Sequence, residues 1–293
     1  MVQTSIVFVI PYFGKLPFWM PFFLASCKTN STINWIIYTD QIYRGDIPNN
    51  VQFVHYTFSA YKAFVSEKLD INFNPSNPYK LCDIKPALGF VHQGDIAHYD
   101  YWGFSDIDLI YGDLRTYFTD EKLAKYQLHS THATRVAGHL CIVKNSPQMN
   151  VAFKRAKNWT TIFEDPAHSA FDEKGFSKIF LKHKNSPKWI QNVAKLFNPW
   201  LNHADFTESY STPNARISWV DGSFNFPTEW VWKNGRLTNN FTPKNEYPYF
   251  HFYIWKNGWN SSHEEWLENN RLKKEAFIIT SAGIKQTDFK SSY

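Results

Sequence analysis

Apolar runs alternate with amphipathic stretches through the first hundred residues. Ser5–Ile10 (SIVFVI) is β-branched and aromatic and closes on Pro11, the pattern of a strand buried in a parallel sheet. Asn34–Tyr38 (NWIIY) repeats it, and Val51–Tyr56 (VQFVHY) alternates as a third strand. The apolar block Leu16–Cys27 predicts a helix. Ser59–Leu69 predicts another, with Tyr61, Phe64, Val65 and Leu69 at helical spacing. Lys85–Tyr99 follows as a third helix with Pro86 in its first turn, and Asp100–Phe104 (DYWGF) returns to strand. Such alternation predicts an α/β fold with a mostly parallel central sheet flanked by helices. Ligands of such sheets bind beyond the carboxyl ends of the strands, so Pro11, Tyr12, Phe13, Thr39 and Asp40 fall at the rim of a candidate site.

The second half is less regular. Val136–Lys144 predicts a strand, Met149–Phe163 and Phe171–His183 predict helices, and Phe277–Thr280 a late strand. Residues 196–250 are rich in Asn, Pro, Trp and Tyr, with short antiparallel, hairpin-like runs at Arg216–Val220 and Thr228–Trp232. No repeat and no Gly/Ser- or Pro-rich linker divides the chain, so residues 1–293 are expected to form a single domain.

Composition narrows the function classes. Aromatic residues make up 18% of the chain, which excludes a disordered one. The formal charge of +5 is too small for a dedicated nucleic-acid binder and leaves room for an anionic ligand or surface. Cys27, Cys82 and Cys141 are far apart and form no CxxC pair, so buried, inert thiols are expected. The apolar stretch 5–27 has no basic segment before it and is broken by Lys15 and prolines. It therefore predicts neither leader nor anchor, and a cytoplasmic protein. The sequons at Asn30, Asn158, Asn240 and Asn260 are then chance matches.

Chemistry concentrates in Trp102–Leu114 (WGFSDIDLIYGDL), where an apolar strand runs into Asp106-Ile107-Asp108. Two carboxylates one residue apart at a strand end can share a cation, and Mg²⁺ or Mn²⁺ takes one or two carboxylates plus substrate phosphates. Such an ion would neutralise a leaving diphosphate. The plainer alternative is a solvated turn with a capping aspartate. Asp113 is expected to cap a helix that starts at Leu114. Walker-type and dinucleotide glycine motifs are absent, which argues against P-loop and Rossmann nucleotide sites.

The Asp-Ile-Asp motif after a nucleotide-binding half resembles a GT-A glycosyltransferase, with a GT-A-like, Rossmann-like sheet and an irregular C-terminal portion. Several segments, in order, resemble an uncharacterised bacterial family found with surface polysaccharide genes. These are IPYFGKLPFWMPFFLASC, Tyr38–Asp40, Lys80–Gly89 (KLCDIKPALG), WGFSDIDLIYGDL, Gly138–Asn145, Phe171–Phe176 (FDEKGF) and Tyr249–Lys256 (YFHFYIWK). They also echo retaining lipopolysaccharide galactosyl- and glucosyltransferases. The resemblance implies a nucleotide-sugar-binding half at 1–115 and an acceptor-side half at 116–293. It implies a metal held by Asp106, Asp108 and His251, and a UDP-sugar donor. The nucleotide sugar would meet Pro11, Tyr12, Phe13, Asp40, Lys80, Lys85, Asp106 and Lys256. Asp172 and Glu173 would act on the acceptor hydroxyl or beside the reacting sugar carbon, and Gly138 and His139 would line the acceptor side. The glycine and Lys-Pro-Trp that follow the histidine in those enzymes are not reproduced in spacing here.

A glycan or lipid-linked glycan acceptor is implied as partner. Peripheral contact with the inner face of the membrane could be assisted by Arg271–Lys274 and exposed aromatics. The alternatives are a non-catalytic carbohydrate- or nucleotide-binding protein on the same fold and, less well supported, a metal-using nucleotidyltransferase or phosphatase.

Overall fold

The computed structural model describes residues 3–182, 186–213, 216–259 and 276–287. Strands form at β1 (Ile6–Pro11), β2 (Ile33–Thr39), β3 (Val51–His55), β4 (Tyr101–Ser105), β5 (Leu109–Tyr111), β6 (Leu128–Ser130), β7 (Leu140–Lys144) and β8 (Ala204–Phe206). They continue with β9 (Glu229–Lys233), β10 (Arg236–Asn239), β11 (Tyr249–His251), β12 (Ala276–Thr280) and β13 (Gly283–Gln286). The central sheet runs β3-β2-β1-β4-β7-β6-β8, and only the β4–β7 and β7–β6 pairings are antiparallel. The predicted mostly parallel sheet is therefore present.

Its two faces are packed as the apolar runs require. Val7 and Val9 of β1 face one cluster with Tyr61, Leu88, Trp102 and Phe104, while Ile6, Phe8 and Ile10 face another with Phe23, Trp35 and Tyr111. Strands β10-β9-β12-β13 make a second, antiparallel sheet over a third cluster that contains Trp230, Trp232 and Phe277. The two-stranded β11–β5 sheet pairs a strand from within the central sheet's stretch of chain with one from within the second sheet's, and carries the site.

Several expected elements differ. The first helix is Met20–Thr29, shifted toward the C-terminus: Pro17 disfavours helix at the residue before it, and Pro21 sits in the first turn, where its missing N–H costs nothing. The helix expected over 85–99 is broken into a 3₁₀ turn at Lys85–Ala87 and a short α-turn at Leu88–Val91. Pro86 removes a backbone donor there, and Gly89 lies so close to Trp102 that a Cβ would come within 2.1 Å of its ring. The helix expected over 149–163 divides into Pro147–Asn150, Ala152–Arg155 and Trp159–Glu164. That expected over 171–183 is a π-turn at Asp172–Phe176 followed by Ser177–Phe180. The predicted strand at 136–144 starts only at Leu140, and Arg216–Val220 forms no strand. The Thr228–Trp232 and Phe277–Thr280 runs do form strands, each in an antiparallel hairpin.

All three cysteines are free; Cys27 and Cys141 are buried and Cys82 is half-buried. Burial raises each thiol, that of Cys82 to about 12, which keeps them unreactive at neutral pH. Asn30 is also buried: its amide donates to the carbonyls of Ser26 and Gly112 and its oxygen accepts the Leu114 N–H, so it serves the fold. Asn260 and Arg271–Lys274 lie outside the described residues. Among the described residues no helix is long and apolar enough to cross a membrane.

Candidate metal and nucleotide site

Strand β4 ends at Ser105 and delivers Asp106-Ile107-Asp108 to the carboxyl edge of the sheet. The turn is held from three sides. The Asp106 N–H donates to the His139 carbonyl (3.0 Å), the Trp19 indole N–H to the Ile107 carbonyl (2.9 Å), and the Phe252 N–H to the Asp108 carbonyl (3.3 Å). Strand β11 pairs with β5 so that His251 lies opposite Leu109. This register brings His251 Nε2 to 3.4 Å from Asp108 Oδ2 across 143 residues of chain. One ligand atom from each of Asp106, Asp108 and His251 falls within 4.8 Å of the others.

Two ammonium groups complete the cluster. Lys85 Nζ bonds Asp106 Oδ1 and donates to the Gly138 carbonyl (2.8 Å). Lys256 Nζ donates to Asp108 Oδ2 (2.6 Å). Burial opposes ionisation of Asp108, yet the charges of His251 and Lys256 hold its carboxyl well below the usual carboxylate range. Burial likewise opposes the charge on Lys85, and Asp106 outweighs it, so Lys85 stays protonated.

The donor set fits a divalent cation. Two carboxylates and an imidazole suit Mn²⁺, and the carboxylates also suit Mg²⁺. The two lysines cancel the two aspartates, so a bound divalent ion would leave the cluster with the positive charge that a diphosphate requires.

His139 stacks on His251, with ring centroids 4.3 Å apart. Its Nε2 lies 2.7 Å from the Tyr249 hydroxyl and 3.2 Å from Thr212 Oγ1. Burial, helped by the nearby histidines, lowers His139 well below its ordinary value, so the ring is neutral. His139 is thus a support for His251.

Asp172 stands beyond Gly138 from Lys85. A Cβ at Gly138 would fall 2.4 Å from Asp172 Oδ2, so only glycine lets the acid approach this backbone. The π-turn, closed by the Phe176 N–H on the Phe171 carbonyl (2.8 Å), holds Asp172 inside. Burial pushes its carboxyl up to about 7, with Lys85 acting against the rise and Glu173 adding to it. Glu173 itself lies partly outside and faces Arg135 (3.4 Å).

A raised carboxylate pKa destabilises the fold once the group ionises. The cost is absent below the unfolded value near 4 and complete above about 7. With metal chelated, Asp172→Asn is therefore expected to match the parent closely at pH 4 and to exceed it at pH 8 by roughly 2–4 kcal/mol. Thermal melts at the two pH values check this, and an equal difference at both would refute it.

The remaining expected residues divide into two groups. Tyr12 belongs near the site: burial raises its phenol, and Asp108 and Asp40 raise it further. Asp40 Oδ1 accepts the Gly14 N–H and the Gln41 side-chain N–H, each at 3.0 Å, which ties the loops after β1 and β2 together. Pro11 closes β1. Phe13, by contrast, is buried against Phe58 and Tyr61 as core.

Lys80 also departs from its expected place. It is 1% exposed and pairs with Asp83 (2.8 Å), while its other protons go to the carbonyls of Ile162 (2.6 Å) and Ala167 (2.7 Å). Asp83 in turn accepts the N–H groups of Ser169 and Phe171 (2.8 Å each). This pair fastens the 162–171 loop and leaves no proton for a diphosphate.

Sequence reasoning had no signal for Thr212 or Trp19. Tyr249, which supports His139, sits two residues before His251 in the YFHFYIWK motif and so could have been noticed.

An α/β protein with a three-ligand candidate metal centre at the carboxyl edge of its sheet is what fold and site together define. The chain belongs to a family of unknown function, DUF6625, whose model matches residues 8–288. No curated protein matches it. Among solved structures, it is similar to the galactosyltransferase LgtC in complex with donor and acceptor sugar analogs, over 59% of this chain and 72% of that one, at 13% identity and a TM-score of 0.34. It is similar to mouse xyloside xylosyltransferase 1 in its apo form over 62% and 83% of the two chains, at 9% identity and a TM-score of 0.38. The glycosyltransferase GlyE of Streptococcus pneumoniae TIGR4 is matched over 62% of this chain and 44% of that one, at 10% identity and a TM-score of 0.34. These superpositions are too loose to transfer chemistry from one protein to another.

Proposed function

We propose that this protein is a metal-dependent glycosyltransferase that moves a hexosyl group from a nucleotide sugar, UDP-linked, to a glycan acceptor during assembly of a bacterial surface polysaccharide. One observation carries the reading: Asp106, Asp108 and His251 converge with Lys85 and Lys256 at the carboxyl edge of a mostly parallel sheet.

Asp106, Asp108 and His251 hold the divalent ion, Mn²⁺ or Mg²⁺. When bound, such an ion stabilises negative charge on a leaving diphosphate. Lys256, bonded to Asp108, would also meet the phosphates, and Lys85 holds the Asp106 carboxylate in position. Tyr12, with Pro11 and Asp40, borders the base and ribose. Asp172, buried and poised between its two protonation states near neutral pH, faces the donor sugar or the acceptor hydroxyl, where an acid of that strength can exchange a proton. Glu173 borders the acceptor side. The acceptor is a glycan, free or lipid-linked, and the reaction takes place in the cytoplasm.

Calorimetric titration of UDP with Mn²⁺, repeated in excess chelator, tests the donor site. Micromolar binding that chelator abolishes is the expected result. If neither UDP, GDP nor CMP binds under either condition, the protein is a non-catalytic member of its fold.

A further inference from the structure

A second surface, separate from the Asp106–Asp108 cluster, carries both apolar and basic character. The helix Lys188–Leu196 presents Trp189, Val193 and Leu196 at i, i+4 and i+7, which places them within one narrow stripe. All three are open to solvent, at 69%, 50% and 79% exposure, and Phe197 extends the stripe at 78%. Apolar side chains lined up and open to solvent in this way are costly in water and mark an interaction surface. The stripe is anchored rather than loose: Asn198, next in the chain, is buried and its amide donates to the Phe180 carbonyl (2.6 Å).

Directly beyond it lies a basic cavity of about 430 Å³. The segment Pro199–Asn202 packs against both the stripe helix and Ser177–Phe180. Its Trp200 forms part of the cavity wall, and the Arg155 guanidinium lies 4.8 Å over that indole. Lys157, Lys174, Lys178 and Lys182 line the same cavity, and no acidic side chain does. Among the described residues, none of these five cations is in an ion pair. Five like charges around one cavity repel each other, and a phosphate-bearing surface would relieve that repulsion.

We propose that this face binds an anionic lipid bilayer, with the 189–197 stripe lying in the headgroup boundary and the Arg155–Lys182 cavity receiving lipid phosphates. Aromatic and aliphatic residues on one helix face, beside clustered basic residues, are the two elements an interfacial helix uses. The surface differs from the Arg271–Lys274 segment that the sequence suggested. It does not depend on the transferase reading.

Sedimentation with vesicles tests it, using phosphatidylcholine alone and with about 30 mol % phosphatidylglycerol. The full chain is expected to bind the anionic vesicles and to release from them as salt is raised. Trp189→Glu combined with Leu196→Glu, both at exposed positions, should lower vesicle affinity at least about tenfold with no change in melting temperature. Lys178→Glu with Lys182→Glu should lower it about fivefold for each lysine. Three outcomes would overturn the proposal. One is no vesicle binding while inorganic phosphate titrates into the cavity, which makes it a free-anion site. Another is a solution dimer that Trp189→Glu dissociates, which makes the stripe a protein interface. The third is vesicle binding that neither variant weakens.

Discussion

Asp108→Ala is expected to remove metal-dependent nucleotide binding and to lower sugar transfer by about 10³-fold or more. That factor corresponds to losing ~4 kcal/mol of charge stabilisation on the leaving diphosphate. Asp108 is buried, 4% exposed, and contacts both His251 and Lys256. Its removal takes away a ligand and also leaves a buried imidazole and an ammonium with no carboxylate between them. Asp108→Asn keeps the shape without the charge, so it separates loss of the ion from collapse of the site. Asp113→Ala is the control. That carboxylate caps the turn starting at Leu114 by accepting the Arg115 N–H (2.9 Å), so its loss should cost about 1 kcal/mol of stability and no nucleotide affinity. The measurements are UDP titration with Mn²⁺ and hydrolysis of a UDP-sugar panel. Unchanged binding in Asp108→Asn would show that the acid pair is structural.

Lys80→Met is expected to destabilise the fold by about 3–5 kcal/mol, read as a fall in melting temperature of about 5–15 °C. The substitution abandons the buried Asp83 carboxylate and leaves the Ile162 and Ala167 carbonyls without their donor. A buried ion pair adds little compared with apolar packing, but breaking one side of it is costly. Protein kept below its melting temperature should retain its UDP affinity. The opposite pattern, lost affinity at unchanged stability, would return Lys80 to the diphosphate. Chemical denaturation followed by calorimetry distinguishes the two.

Lys80 and Lys85 show how far local reading reaches. Both occur in one short motif, and from sequence both are expected to meet the diphosphate or sugar, Lys85 the more so because it opens a predicted helix. Lys85 meets Asp106 and Gly138, whereas Lys80, on the other side of the short helical turn at Leu81–Ile84, meets Asp83 and the Ile162 and Ala167 carbonyls. Nothing in the periodicity of the motif sets that divergence. The Phe13 ring likewise looked like a site residue because it follows β1, and packing against Phe58 and Tyr61 absorbed it. The broken helices at 85–99 and 149–163 fail for another reason. In the first, Pro86 withholds a backbone donor and Gly89 packs against Trp102; in the second, the chain divides into three short turns between Pro147 and Glu164.

The sequence alone determined the buried strands β1, β2 and β4, the mostly parallel sheet that they imply, the Asp-Ile-Asp turn at its edge and the Asp113 cap. Each rests on interactions between residues close in the chain, where run length, alternation and side-chain reach are visible directly. Tertiary structure decided the rest. His251 reaches Asp108 only through the β5–β11 register. Asp172 rises to about 7 only because the π-turn buries it beside Gly138. The exposure of the 189–197 stripe is visible only in the folded chain, where Asn198 next to it is buried on the Phe180 carbonyl. These outcomes depend on contacts across tens to hundreds of residues, and burial, which sets both charge state and exposure, is a property of the whole packed chain.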